Sequence, residues 1–482
     1  MSTKKVLLTG VTYTAIAKYA GIVISLVVTG ILSRLLSPDD FGVVAIATVI
    51  ITFFATFSDL GIGPAIIQNK DLNKEDISNI FSFTVWLSII LAFCFFAASW
   101  LIAGYYKSDI LVSICQLLSI NLFFVSLNIV PNALLYKDKR FKFVAYRSLA
   151  IQMISGVLAV VAALYGLGLY SLLINPIFSS IGIFIVNIIQ YPQKFKLTFK
   201  LDAIKKIFSF SVYQLSFNII NYFSRNLDKL MIGRYMGFSA LGYYEKSYRL
   251  MMLPLQNITA VITPVMHPVF AEYQNDINYL RTAYMKVVRI LAFIGFPATV
   301  YLAFSARELV LIVFGEQWMA SVPVFQILAI SVGVQIILST TGAIFQAANA
   351  TKMLFISGCI STLFVVSGLL VGIFVFGSLE AIAWSITITF TINFVQAYFL
   401  MFRYTFRSAF FPFWKQLASP FILTLIIGII MCGILYLLPT ISNIFISLAL
   451  KSAITILTII IYIQTTKEYN IIHKISSMVK KK

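Results

Sequence analysis

The 482-residue sequence is short of acid, with 17 Asp and Glu against 36 Lys and Arg, and it holds two histidines, His267 and His473. That scarcity leaves no paired-carboxylate site for general acid–base work and no histidine cluster for a metal or a nucleophilic triad. The four cysteines, Cys94, Cys115, Cys359 and Cys432, fall in apolar stretches without metal-ligand spacing and are expected to fill core space. A Gly-rich phosphate loop is missing as well. So are polar stretches long enough to fold outside a bilayer, because 11% of residues are charged and 60% hydrophobic. No basic amphipathic region is large enough for a nucleic-acid module, in spite of a formal charge of +19. These absences argue against catalysis on a soluble substrate and against nucleic-acid binding.

What is present is a train of apolar runs, and the mean hydropathy of +0.94 makes lipid the solvent to reason with. Each run can cross the hydrocarbon core as a helix, the one open structure that satisfies its own backbone there. The pattern predicts an all-α polytopic membrane protein of about fourteen transmembrane helices. They are expected over 11–34, 41–66, 78–104, 110–135, 144–165, 168–190, 208–234, 246–271, 287–306, 321–348, 353–376, 380–402, 415–437 and 443–465. The first run follows Lys4 and Lys5 but is too long for a cleaved leader, includes Lys18 and lacks a small-residue cleavage site, so it is expected to remain.

Cations cluster in alternate connections: Lys137, Lys139, Arg140 and Lys142; then Lys194, Lys196, Lys200, Lys205 and Lys206; then Arg403, Arg407 and Lys415; and the tail with Lys474 and Lys480 to Lys482. The connections between them hold little beyond Lys107 and Arg307. This asymmetry predicts a bacterial cytoplasmic (inner) membrane protein with both termini cytoplasmic.

Displacing the sequence by 200 residues lays Tyr13 on Tyr213, Arg34 on Arg234, Gly42 on Gly242 and Pro64 on Pro264 without a gap. Six helices separate equivalent positions, which predicts parallel repeats about an axis along the membrane normal. The expected organisation is an N-lobe over 1–200, a C-lobe over 201–409, and two last helices with a basic tail over 410–482.

The seventh helix carries Gln214, Asn218, Asn221, Arg225 and Asp228 on one face, with Lys229 beside it. Ionisable groups at that depth are costly in hydrocarbon, so this face is expected to line a cavity or the bundle interior. Its mate in the first helix reads Thr14, Lys18, Gly21, Ser25 and Thr29. Arg225 and Asp228 also read as a self-neutralising i, i+3 pair, and Lys18 as a side chain snorkelling to the headgroups. Arg34 and Arg234 read as interfacial anchors, and Glu245 with Arg249 as a local pair. A second stripe, Gln335, Ser339, Gly342, Gln346 and Asn349, fits cavity lining or polar glue between helices. Asn121, Asn128 and Asn132 with Pro131, and Pro254, Pro264, His267 and Pro268, mark expected bends. The excess of cations within the spans favours an anionic substrate bearing phosphate or carboxylate.

Two stretches carry a family likeness. Ser33-Arg34-Leu35-Leu36-Ser37-Pro38-Asp39-Asp40-Phe41-Gly42 is followed by Phe57-Ser58-Asp59-Leu60-Gly61-Ile62-Gly63. Ser224-Arg225-Asn226-Leu227-Asp228-Lys229-Leu230-Met231-Ile232-Gly233-Arg234 is followed by Leu241-Gly242-Tyr243-Tyr244, Tyr248-Arg249-Leu250 and Pro254-Leu255-Gln256-Asn257-Ile258. Together they resemble the polysaccharide transporter family, the Wzx-like flippases of the MOP exporter superfamily, and in particular colanic-acid and teichuronic-acid exporters. The resemblance covers both repeat halves, and the last two helices match only in number and hydrophobicity.

It implies a two-lobed MATE-like transporter, not an enzyme. Such a protein moves undecaprenyl-diphosphate-linked oligosaccharide from the cytoplasmic to the periplasmic leaflet by alternating access, for cell-surface polysaccharide biosynthesis. The expected partners are that polyprenyl-diphosphate-linked oligosaccharide, membrane lipid and polysaccharide assembly machinery, with no nucleic acid. Arg225, Lys229 and Lys18 would hold the diphosphate or acidic sugars, and Gln214, Asn218 and Asn221 would bond sugar hydroxyls. Asp228 would orient Arg225 or couple transport to an ion. No cofactor is expected, and proton or sodium coupling is the usual drive. A multidrug or small-molecule antiporter of the same superfamily and a membrane-embedded polysaccharide polymerase or ligase stay open as alternatives. The former wants acidic cavity groups, and the latter a long outer loop.

Overall fold

The computed structural model describes residues 3–59, 61–69, 71–198, 211–274, 276–437 and 443–466. Among them there is no strand, and nearly all are helical. Among the described residues eleven helices are long and apolar enough to span a bilayer, or twelve when the bent pair Ser321–Ala329 and Val332–Ala347 is one span. The expected fourteen is therefore not reached by length and composition. The two expected spans that fall short are the seventh and eighth, whose polar faces dilute their hydropathy.

The first compact unit comprises Met1–Gly242 with Val313–Gln317. It contains α1 (Thr3–Leu35), α2 (Pro38–Asp59), α3 (Ile62–Gln68), α4 (Lys74–Tyr106), α5 (Ile110–Leu127), α6 (Ile129–Lys137), α7 (Phe141–Leu164), α8 (Ser171–Gln190) and α9 (Ser211–Tyr235). Helix α1 packs on α7, α4 on α5, and α9 on α2 and α4. Pro38 opens α2 where its missing N–H costs nothing, and Ser37 and Asp40 bond reciprocally across that first turn. Asn73 and Asp76 make the same device at the start of α4. The fourth span is interrupted at Asn128, between α5 and α6, and continues through it as one span. The second span is also in two pieces, where a single helix over 41–66 was expected.

The second unit comprises Tyr243–Ile312 and Trp318–Lys482. It holds most of α10 (Phe238–Ala271), then α11 (Ile277–Phe304), α12 (Ala306–Val313), α13 (Ser321–Ala329), α14 (Val332–Leu338), α15 (Thr341–Ala347), α16 (Thr351–Val371), α17 (Leu379–Leu400), α18 (Phe411–Leu437) and α19 (Ile444–Thr465). Helix α10 continues across Pro254, Pro264 and Pro268. The tenth expected span is broken into α13, α14 and α15, with a bend of 47°. Two members of its polar stripe reach α10, Ser339 Oγ accepting from Thr259 Oγ1 at 3.1 Å and the Gln335 amide donating to Met251 Sδ at 3.5 Å, while Gln346 and Asn349 are exposed.

Side chains that a soluble core would bury stand outward, including Phe93, Leu101, Ile189, Phe355 and Ile429. This is the surface of a multi-pass membrane protein, whose solvent is hydrocarbon. Three cysteines share it: Cys94, Cys359 and Cys432 are exposed, and Cys115 alone is buried. The expectation that all four fill core space is corrected accordingly, since lipid accepts a thiol as readily as packed protein does.

Candidate functional site

The polar face of α9 is the most heavily charged stretch within any expected span of the first unit. Asp228 is 8% exposed, so its carboxylate is turned into protein, whereas Arg225 is exposed and Lys229 half-buried. Asp228 Oδ1 accepts the backbone N–H of Lys229 at 2.9 Å. The three residues share two turns of one helix, so a carboxylate within protein lies beside a cation left open for a ligand. The side chains of Gln214, Asn218 and Asn221 lie outside the described residues. Lys18, half-buried, stands on α1, whose chief packing partner is α7, while α9 packs on α2 and α4. No described contact brings Lys18 to Arg225.

Close backbone approach holds the end of this site. A methyl group on Gly42 would overlap the carbonyl oxygen of Phe238, and one on Gly242 the carbonyl oxygen of Pro38. The two glycines are repeat mates, and so are Pro38 and Phe238, so the α1–α2 and α9–α10 turns embrace reciprocally. Ser239 Oγ donates to Asp39 Oδ1 at 3.0 Å across the same crossing. Tyr222 and Tyr106 pin α9 from either side, their hydroxyls donating to the backbone oxygens of Val49 and Leu230.

Arg34 and Arg234 sit at this end, and each has its own partner. The Arg34 guanidinium donates to Gly30 O at 3.0 Å and Val313 O at 3.1 Å. Arg234 lies over the Tyr105 ring at 5.2 Å. The segment 313–317 is fastened to α1 in a second way, by the Gln317 amide donating to the carbonyls of Ser33 and Leu36. Gly315 passes Arg34 with φ 104°, a conformation that suits glycine alone.

Three buried cations escaped the sequence reading. Arg147 of α7, 8% exposed, donates to Asn187 Oδ1, and Asn187 in turn donates to Asn128 Oδ1 at 2.6 Å. Lys246 is 2% exposed and stands over the Trp318 ring at 4.9 Å. Lys451 of α19 donates to Glu308 Oε1 of α12 at 2.6 Å and to Phe304 O at 2.7 Å, and Ser447 shares the carboxylate at 2.7 Å. Burial pushes the Glu308 carboxyl up, and the bonds from Lys451 and Ser447 outweigh it, leaving its pKa below the usual carboxylate value. For Arg147 and Lys451 the available signal was a lone charge inside an apolar run, whereas Lys246 sits among Glu245 and Arg249 and gave no such signal. Among the described residues no group of His, Cys, Asp and Glu could hold a metal ion.

Residues 31–323 match the family model described as polysaccharide biosynthesis protein. The chain belongs to that family. The matched region takes in both turns of the Gly42–Gly242 crossing and the whole of α9. Among curated relatives, the teichuronic acid biosynthesis protein TuaB of Bacillus subtilis (strain 168) is 25% identical over 452 residues, 90% of each chain. The lipopolysaccharide biosynthesis protein WzxC of Escherichia coli (strain K12) is 25% identical over 429 residues, 88% of this chain and 87% of the relative. The fold is that of a lipid II flippase, MurJ, in an inward closed conformation, with TM-score 0.72 at 15% identity over 95% of this chain and 99% of that one. A MATE multidrug transporter in an inward-facing conformation gives TM-score 0.63 at 18% identity, over 83% and 98% of the two chains. The expected MATE-like fold and the likeness to polysaccharide exporters are thereby established for this family member.

Proposed function

We propose that the protein is a flippase that carries a polyprenyl-diphosphate-linked oligosaccharide across the bacterial cytoplasmic membrane by alternating access. The observation that carries the reading is family membership joined to a cation-bearing polar face on α9, in a helix otherwise placed to cross a bilayer. A diphosphate strips poorly of water, and Arg225 and Lys229 replace the lost hydration with charge-assisted hydrogen bonds. Lys18 adds a third cation from α1. Gln214, Asn218 and Asn221 offer the neutral donors and acceptors that sugar hydroxyls need. The polyprenyl tail stays in lipid. Helices α9 and α10 complete the count of fourteen, and both termini lie on the cytoplasmic side, where the Lys- and Arg-rich connections belong. Assembly machinery that joins the delivered units is the expected partner.

The basic character of the site favours this cargo over small organic cations, which an acidic cavity would serve. Asp228, facing protein beside two cations, is the group to couple transport to proton or sodium movement. Arg225→Ala is expected to abolish export while the protein still accumulates in the membrane, with complete lipid-linked units building up on the cytoplasmic leaflet. Normal export by Arg225→Ala overturns the assignment of the site. Units collecting on the periplasmic leaflet would reassign the protein to a later joining step. Asp228→Asn is expected to blunt the dependence of export on external pH or sodium.

A further inference from the structure

A second basic site lies in the other compact unit, remote in sequence from the α9 face. A cavity of about 490 Å³ opens among α11, the end of the α17 span and the start of α18. Arg281, Lys286 and Arg289 line it with Ser408 and Gln416, and Met285, Phe402 and Pro412 complete an apolar floor. No carboxylate is among the lining residues. Arg289 Nη1 reaches Gln416 Oε1 at 3.5 Å, and the buried Ser408 hydroxyl has no hydrogen-bond partner. Arg281 and Arg289 are eight residues apart, roughly 12 Å along the helix axis, so the cavity extends along the first turns of α11. A cavity lined by three cations and by no carboxylate favours an anion over a cation or a neutral guest.

The surroundings say which kind. Tyr404, Phe411 and Trp414 stand exposed on the segments that frame the cavity, the aromatic belt of a membrane–water interface. A soluble anion needs no such belt and no apolar floor, and a phospholipid needs both. The geometry points to a binding site for the phosphate of an anionic phospholipid headgroup, with Arg281 and Arg289 grasping the phosphate, Ser408 donating to it and Lys286 closing the rim. Its acyl chains lie along α11 and α18 in the surrounding leaflet. The site makes the α11–α18 contact depend on the composition of that leaflet.

The test uses the purified full-length chain, equilibrated in neutral-detergent micelles holding phosphatidylglycerol and phosphatidylcholine in equal amounts, with native mass spectrometry counting the lipid retained. The wild-type chain is expected to retain phosphatidylglycerol in preference to phosphatidylcholine. Arg281→Gln combined with Arg289→Gln is expected to lower that preference by about tenfold or more, the worth of one charge-assisted hydrogen bond. Lys286→Gln, an exposed rim position that cannot unfold the bundle, is expected to lower it alone by about threefold. Arg403→Gln with Lys415→Gln, exposed cations of the same connection outside the cavity, is expected to leave it unchanged. Wild-type preference in both cavity variants overturns the proposal, as does equal loss in the Arg403 and Lys415 control. Displacement of the lipid by inorganic phosphate with a retained phosphate adduct also overturns it, because the site would then serve a soluble anion.

Discussion

The α1–α2 turn and the α9–α10 turn meet in one crossing and differ in what supports it. The first is capped by side chains, with Ser37 and Asp40 bonded across the opening of α2 and Pro38 at its first position. The second turns through Gly237 at φ 93°, where a serine stands in the first copy. Arg34 grips two carbonyl oxygens, and its mate Arg234 rests on a tyrosine ring. Only the crossing itself, Gly42 against Phe238 and Gly242 against Pro38, is the same in both. At positions 200 residues apart the close approach of two backbones is common to both turns, and the side chains around it differ.

The sharpest way to break that comparison is to add one methyl group. Gly42→Ala and Gly242→Ala are each expected to destabilise the protein by about 3 kcal/mol, since a carbonyl oxygen rather than a flexible side chain stands in the way. Thermal unfolding in detergent measures it, and the two variants should agree; tolerance of either would mean that the crossing is not reciprocal. The arginines come next, and here the copies should disagree. Arg34→Met loses two hydrogen bonds from a charged group, about 2 kcal/mol, and frees the segment 313–317, which limited proteolysis would detect. Arg234→Met loses a cation–π contact at a part-exposed site, about 0.5 to 1 kcal/mol. Smallest is Ser239→Ala, whose exposed bond to Asp39 should matter by less than about 0.5 kcal/mol.

The same contrast separates what could be read from sequence from what could not. Spans were legible because hydropathy is a property of composition, and the break at Asn128 because Asn128 and Pro131 disrupt a helix locally. Arg34, Arg234, Gly42 and Gly242 were legible as a pattern repeated after 200 residues. Their reciprocal contact was not, since spacing along a chain says nothing of which mate faces which. The α9 face was legible from helical periodicity, and the same polarity hides α9 and α10 from any test of apolar length. Arg147 with Asn187, Lys246 with Trp318 and Lys451 with Glu308 were missed for one reason: each partner lies 40 or more residues away. A lone charge in an apolar run announces a partner without naming it.

The Lys451–Glu308 pair bears on how the chain is made. Lys451 is the one charged residue among the 22 of α19. Lys451 stands two turns into that helix, and a lysine in a span adds up to roughly 3 kcal/mol, its value at the helix centre, to the cost of leaving the translocation channel for lipid. Glu308 belongs to a helix synthesised more than a hundred residues earlier, so the acid is in place before the lysine emerges. The last helix thus enters the bilayer against an existing counter-charge. A chain whose Glu308 is replaced by leucine should stall at that step, with its tail on the wrong side of the membrane and its other helices already home.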